Sequence, residues 1–186
     1  MTIPILAATV RAFWAVIEYP YLRRYEVKPA KDWDKHSRGV WDVANAMELV
    51  GMILGFTSMG RMRTGGNSIA VIGLALLLVG IVIRWTAIYT LGKYFTGTVL
   101  IKNDHQLIRS GWYKHIRHPS YTGALLAHLG LGLSFSNWLS LTLSVVPFSV
   151  AAFYRMHVEE RALKDAFGDA YISYSQITKR LIPKLY

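Results

Sequence analysis

The sequence predicts an all-α polytopic membrane protein with about five transmembrane helices and a cytoplasmic cap formed by the 92–117 connection and the C-terminal tail. Three observations carry this. Hydrophobic residues make up 53% of the chain and charged residues 17%, and the mean hydropathy is positive, unlike a soluble or disordered domain. The stretch Pro119 to Tyr154 contains no Asp, Glu, Lys or Arg over 36 residues. As a single helix it would run roughly 54 Å against a hydrocarbon core of about 30 Å, so it must turn back, and Ser134-Phe135-Ser136-Asn137 is its polar break. Lys and Arg, finally, crowd into alternate loops.

The first span is expected at about 3–22, interrupted by Arg11 and Glu18, and the second at about 41–59, carrying Asp42 and Glu48. The third, Ser68 to about Leu91, has an uncharged core from Ile69 to Ile83. The hairpin arms, about 119–134 and 137–154, are the fourth and fifth, the last with a bend expected near Pro147. The linkers are a charged loop at 23–40, a turn from Gly60 to Asn67 around Gly65-Gly66, and the polar stretch at 92–117. Without repeats or low-complexity tracts, residues 1–186 read as one domain.

The loop at 23–40 holds six Lys or Arg, the connection at 92–117 five, and the tail from 155 six, against two (Arg61 and Arg63) and none in the intervening turns. The positive-inside rule puts the three basic segments in the cytoplasm and the N-terminus outside. The host membrane would be the plasma or inner membrane in a prokaryote and the endoplasmic reticulum in a eukaryote. The net charge of +10 sits mostly in short loops between apolar runs, which points to anionic lipid headgroups and not to nucleic acid. The first apolar run, with its internal charges and basic flank, is not expected to be a cleaved signal peptide. No cysteine is present, which removes disulfides, thiolate ligands and a Cys nucleophile. The six His do not fall in a metal-ligand spacing with carboxylates, so no metal is expected, and neither a P-loop nor a Gly-x-Gly-x-x-Gly motif is present.

The hairpin carries His118 and Tyr121 at its entry and Arg155, Glu159 and Glu160 just past its exit, so all five should emerge on one side. The segment from Asp104 to Tyr113 mixes aromatic, apolar and hydrogen-bonding residues, as a pocket for a planar ring requires. Glu159 to Tyr174 reads as an amphipathic helix broken near Gly168, and Arg155 and Glu159, four apart, share a face. Each residue also has a plainer reading: His118 as a helix-entry residue, Tyr113 and Tyr121 as aromatic-belt anchors, Arg155 and Glu159 as an ordinary surface pair. Glu48, with Asn45 on its face, is either functional, as intramembrane charges often are, or paired with a group such as Arg84. Arg11 and Glu18 share a face and read as packing or interfacial groups, His128 as a buried, hydrogen-bonded core residue, and His157 as a cover for the end of the fifth span.

Taken in order, Gly111-Trp112-Tyr113, Arg117-His118-Pro119-Ser120-Tyr121-Thr122-Gly123, Glu159-Glu160, Phe167-Gly168, Tyr171 through Tyr174 and Pro183 resemble the signature of isoprenylcysteine carboxyl methyltransferases. Other integral-membrane methyltransferases, including those of phospholipids, share much of it. The resemblance covers about 95–184, and the first two spans carry no motif. It implies S-adenosylmethionine held in a pocket closed by the C-terminal region, with S-adenosylhomocysteine as product. The cofactor would contact His105, Gln106, Leu107, Ile108, Tyr113, His118, Pro119, Ser120, Tyr121 and Glu159. Arg155, Glu159 and Glu160 would be the catalytic set, Arg155 holding the substrate. Two departures are an absent amide side chain near Thr98 and Arg161 after the Glu pair, where the family often has an apolar residue.

The residue types suit this chemistry. Methyl transfer from a sulfonium to a carboxylate neutralises opposite charges, so a dry, aligned site favours it, and an ionised carboxylate needs no general base. Arg155 can grip a carboxylate bidentately, whereas Lys is a point charge. The resemblance implies, and this chemistry allows, esterification of a lipophilic acceptor such as a C-terminal prenylcysteine. A lipid amine acceptor of the phosphatidylethanolamine type is the alternative and would need a Glu as base; a non-catalytic lipid-binding scaffold is the remote one.

Overall fold

A computed structural model describes residues 2–24, 37–63, 65–99, 101 and 104–183. The described residues form six α-helices: α1 (Thr2–Arg24), α2 (Ser37–Gly55), α3 (Gly66–Leu91), α4 (Pro119–Ser134), α5 (Trp138–Phe167) and α6 (Asp169–Ile177). Short 3-10 turns lie at Gly92–Tyr94 and Gly111–Lys114. Among the described residues there is no strand, only two isolated bridges, so the all-helical expectation holds. The basic loop expected at 23–40 falls largely outside the described residues, as do Lys102 and Lys184.

Three helices are long and apolar enough to cross a membrane, within Thr2–Leu22, Gly66–Tyr94 and Trp138–Phe167. The second helix starts about four residues earlier than the sequence suggests and stops at Gly55, because Phe56 to Gly60 fold into turns against the hairpin tip. At 16 residues, α4 is only about 24 Å long. It lies sunk among the other helices, with Ala124, Ala127 and Leu131 almost fully buried. The fifth helix does not end near Tyr154. Arg155 to Phe167 is rich in strong helix formers, so α5 runs for 30 residues to Gly168. There φ is +50°, and the left-handed residue terminates the helix and starts α6.

Glycines fix the central packing. Gly73 and Gly80 of α3 face Gly130 and Gly123 of α4, both pairs seven residues apart. A Cβ on Gly130 would lie 2.2 Å from the Leu77 amide nitrogen, and one on Gly80 would lie 2.4 Å from that of Ala127. The two backbones therefore touch, the arrangement that small residues permit between apolar helices, and the pairing runs antiparallel. Gly51 meets Leu143 and Gly55 meets Phe135, so α2 lies antiparallel to α5. The hairpin tip is tied by Asn137, whose Oδ1 accepts from the amides of Leu139 and Ser140 and whose Nδ2 donates to the Met59 carbonyl at 2.6 Å. That is helix capping and inter-helix stapling in one side chain. Asn137→Ala should lose about 1–3 kcal/mol, since it also orphans buried backbone groups, read as a lower melting temperature in detergent.

Buried ion pairs attach the thinly packed α1. The Arg11 guanidinium grips Glu48 of α2 at 2.8 and 2.9 Å, and Arg84 of α3 grips Glu18 at 2.5 to 3.1 Å. Glu48 thus pairs with Arg11, not with Arg84, and its other neighbour is His128 at 3.5 Å. His128 is buried, hydrogen-bonded to the Ala124 carbonyl and stacked on Phe148, as a core residue. His157 is exposed.

Candidate functional site

The C-terminal ends of α1, α3 and α5 and the N-terminal ends of α2 and α4 surround a cavity of about 500 Å³, within the range of small-molecule sites. Above it the connection and the tail lock together. The backbone of Arg117 and His118 donates to the carbonyls of Lys179 and Arg180 at 2.7 and 3.0 Å, and Lys179 donates back to His115. The Tyr174 hydroxyl donates to the Tyr113 carbonyl at 2.7 Å, the Thr122 hydroxyl to the Leu181 carbonyl at 2.8 Å, and Arg109 to that of Ala170. The tail is thereby part of the site's wall.

Local sequence sets the aim of each group. His118 precedes Pro119, which occupies the first turn of α4, and takes φ −125° and ψ 56°. Proline forbids its neighbour a helical conformation, so the imidazole leaves the helix axis and turns into the cavity. Tyr121 follows on the first turn, its ring 5.7 Å from that of His118. Across the cavity, Arg155 and Glu159 sit one turn apart on α5. Arg155 is buried and donates to the Gly97 carbonyl, which fixes the guanidinium against the connection.

The end of the cavity nearest the tail is rich in aromatic rings. His105 of the lining meets Tyr94 at a tilt, 4.9 Å between centroids, and is backed edge-on by Phe167 at 5.7 Å, and Tyr113, Tyr171 and Tyr174 close the side. Burial, followed by the nearby Glu159 carboxylate, pushes the Tyr113 phenol well above its ordinary range; burial likewise pushes Tyr174 up to about 12. Both stay neutral donors at physiological pH. Two buried hydroxyls lining the cavity, those of Thr98 and Tyr171, have no hydrogen-bond partner among the described residues. A polar ligand would satisfy them, so the chemistry of the wall fits a nucleoside-bearing cofactor.

Of the residues singled out in the sequence, His105, Gln106, Leu107, Ile108, Tyr113, His118, Ser120, Tyr121, Arg155 and Glu159 line this cavity. Pro119 and Glu160 do not. Pro119 is packed inside the N-terminal turn of α4, and Glu160, one residue round the helix from Glu159, points at the tail. Ser120 also uses its carbonyl to accept from Arg84. Sequence reasoning missed the opposite wall: Arg11, Trp14 and Glu18 of α1, Trp41, Asp42 and Asn45 of α2, and Arg84. Their one signal was the presence of ionisable groups inside apolar runs. Trp14 lies between the Arg11 and Arg84 guanidiniums, 5.1 and 5.9 Å from its ring, and donates its indole N–H to Glu18. Among the described residues no cluster of three or more potential metal ligands occurs.

Known proteins resemble this chain in sequence and in fold. Residues 71–165, just over half of the chain, match the model of the isoprenylcysteine carboxyl methyltransferase family. The chain is 33% identical over 117 residues to protein-S-isoprenylcysteine O-methyltransferase B of Arabidopsis thaliana, covering 60% of this chain and 57% of that one. It is 36% identical over 108 residues to the Saccharomyces cerevisiae protein-S-isoprenylcysteine O-methyltransferase, covering 56% and 44%. In three dimensions it resembles a eukaryotic intramembrane Ras methyltransferase of the same family with a TM-score of 0.61 at 25% identity, over 86% of this chain and 55% of that one. The chain thus spans about half the length of these relatives. With the cavity walled by the motif residues, the match places the chain in the isoprenylcysteine carboxyl methyltransferase family.

Proposed function

We propose that this chain is an S-adenosylmethionine-dependent methyltransferase that esterifies the carboxylate of a lipophilic acceptor, a C-terminal prenylcysteine being the leading candidate, at the cytoplasmic face of a membrane. One observation carries the reading. A single cavity joins an aromatic wall, fit for an adenosine, to the buried Arg155 guanidinium and, beyond it, to helices long and apolar enough to lie in a bilayer. Five crossings, with α4 shielded by the other helices, and a cytoplasmic cap are our reading, supported by the antiparallel order of α1 to α5 and by the basic segments.

When bound, S-adenosylmethionine supplies an electrophilic methyl on a sulfonium. The protein's part is placement. His118 and Glu159 present acceptor atoms to hydroxyl or ammonium groups, while Tyr113 and the His105 to Ile108 segment flank the ring. Arg155 holds the acceptor carboxylate, and its anchor on Gly97 fixes the direction of approach. Burial excludes water, which strengthens the attraction between the reacting charges. An amine acceptor would instead need a base, and Glu159 is the carboxylate of the Glu pair that faces the cavity.

S-adenosylhomocysteine should bind the detergent-solubilised protein with micromolar affinity or better. His118→Ala and Glu159→Ala should weaken that binding while leaving the helical circular dichroism unchanged. Calorimetry showing no binding to folded protein would reject the proposal. The topology is checked separately, and the lack of native cysteine makes the test clean. Ser110→Cys and Gln176→Cys should be shielded from an impermeant thiol reagent in intact cells, and Asn67→Cys should label.

A further inference from the structure

Glu160 sits at the junction of three cationic or hydrogen-bonding side chains and two chain segments. Its Oε1 accepts from Arg117 Nε at 3.0 Å and from Arg180 Nε at 3.2 Å, and lies 3.3 Å from His118 Nε2; its Oε2 accepts from Arg180 Nη2 at 2.8 Å. Arg117 extends the junction, donating to the carbonyls of Ser175 and Thr178. The carboxylate is buried and absent from the cavity wall. It therefore touches no ligand, yet it touches a residue that does.

We infer that Glu160 is a positioning residue that fixes His118 as the Nε2–H tautomer, turns Nδ1 toward the cavity as an acceptor, and couples this to closure of the tail. The inference rests on His118 being a cofactor-binding residue, as proposed above. A carboxylate can only accept, so the ring nitrogen facing it must carry the proton. Two guanidiniums already outweigh the single charge of Glu160, so the carboxylate needs only a third donor and not a third cation. That leaves Nδ1 with a lone pair, 3.9 Å from Glu159 Oε2. Two acceptors side by side on the cavity wall, one buried and one half-buried, suit a ligand that places donors between them, such as vicinal hydroxyls or an ammonium group. Carboxylates behind an imidazole set its tautomer in this way at metal and catalytic sites. Because Arg117 and Arg180 carry the same carboxylate to the 175–180 segment, the tail cannot detach without releasing the ring.

Nitrogen-15 NMR of histidine-labelled protein in detergent at pH 7.5 tests this, with the His118 signals assigned by their loss in His118→Asn. The expected spectrum shows a neutral ring protonated at Nε2 and unprotonated at Nδ1. A ring protonated at Nδ1, or at both nitrogens, would overturn the inference. In Glu160→Gln, which keeps the size and loses the charge, the two tautomers should mix and S-adenosylhomocysteine should bind at least tenfold more weakly. Adding Glu160→Gln to His118→Ala should weaken binding less than twofold further, whereas an additive loss, or native affinity in Glu160→Gln alone, would show that Glu160 does not act through His118. If Glu160→Gln fails to fold, the spectrum of the native chain decides. Absence of S-adenosylhomocysteine binding by the native chain would remove the cofactor reading and leave the tautomer to be judged by its own spectrum.

Discussion

Arg155→Lys is expected to keep S-adenosylhomocysteine affinity within a few-fold of native while losing most of the turnover on a carboxylate acceptor. The guanidinium is buried and bonded to the Gly97 carbonyl, which leaves its plane set by the connection. An ammonium group in its place is a point charge that cannot hold a planar carboxylate in line with the reacting methyl. Loss of such a bidentate, charge-assisted contact costs about 2–4 kcal/mol, roughly thirty- to nearly a thousand-fold in rate. Glu159→Gln should do the converse, with weaker cofactor binding as its main defect. Single-turnover rates with labelled S-adenosylmethionine, beside calorimetric affinities, separate the two. Near-native turnover in Arg155→Lys would discard the carboxylate grip and favour an amine acceptor with Glu159 as base.

Gly130→Leu is expected to abolish folding, and Gly130→Ala to cost at least about 3 kcal/mol, the upper end of over-packing penalties. Even a methyl there would lie within 2.2 to 2.8 Å of backbone atoms of Leu77, Gly73 and Leu76, and backbone cannot swing aside as a side chain can. Separating α3 from α4 would also pull Arg84 from Ser120 and open the cavity wall. Gly39→Ala, where nothing lies within 4 Å, is the matched control and should change the melting temperature little. Fluorescence-detected size exclusion after heating compares them directly.

How much of this was legible in the sequence varied with the kind of signal. The α4–α5 hairpin was, because an uncharged run too long for one crossing has a single polar break, and Asn137 in that break is the cap of α5. Ten of the twelve singled-out site residues line one cavity, since the proline after His118 and the four-residue spacing of Arg155 and Glu159 are local constraints. The roles of Glu159 and Glu160 were not separable. Adjacent residues on a helix differ by about 100° in direction, and only the position of the tail shows which one faces the cavity. The partners of Arg11 and Glu18 were equally hidden, being 37 and 66 residues away. Sharing a face was readable from their spacing, but Glu48 and Arg84 could have been exchanged, and the contribution of α1 and α2 to the wall depended on that choice. The length of α5 was underestimated because its charged second half looked like a new element, although no Gly or Pro lies between Tyr154 and Gly168.

The most direct measurement is transfer of a labelled methyl group from S-adenosylmethionine to an N-acetylated prenylcysteine by the purified protein in lipid vesicles, followed by mild base. Carboxyl methyl esters hydrolyse to volatile methanol, whereas methylated amines keep their label. The proposed function predicts saturable, base-labile incorporation that depends on Arg155 and is outcompeted by S-adenosylhomocysteine. No incorporation into the prenylcysteine, with base-stable label appearing instead in phosphatidylethanolamine, would contradict it.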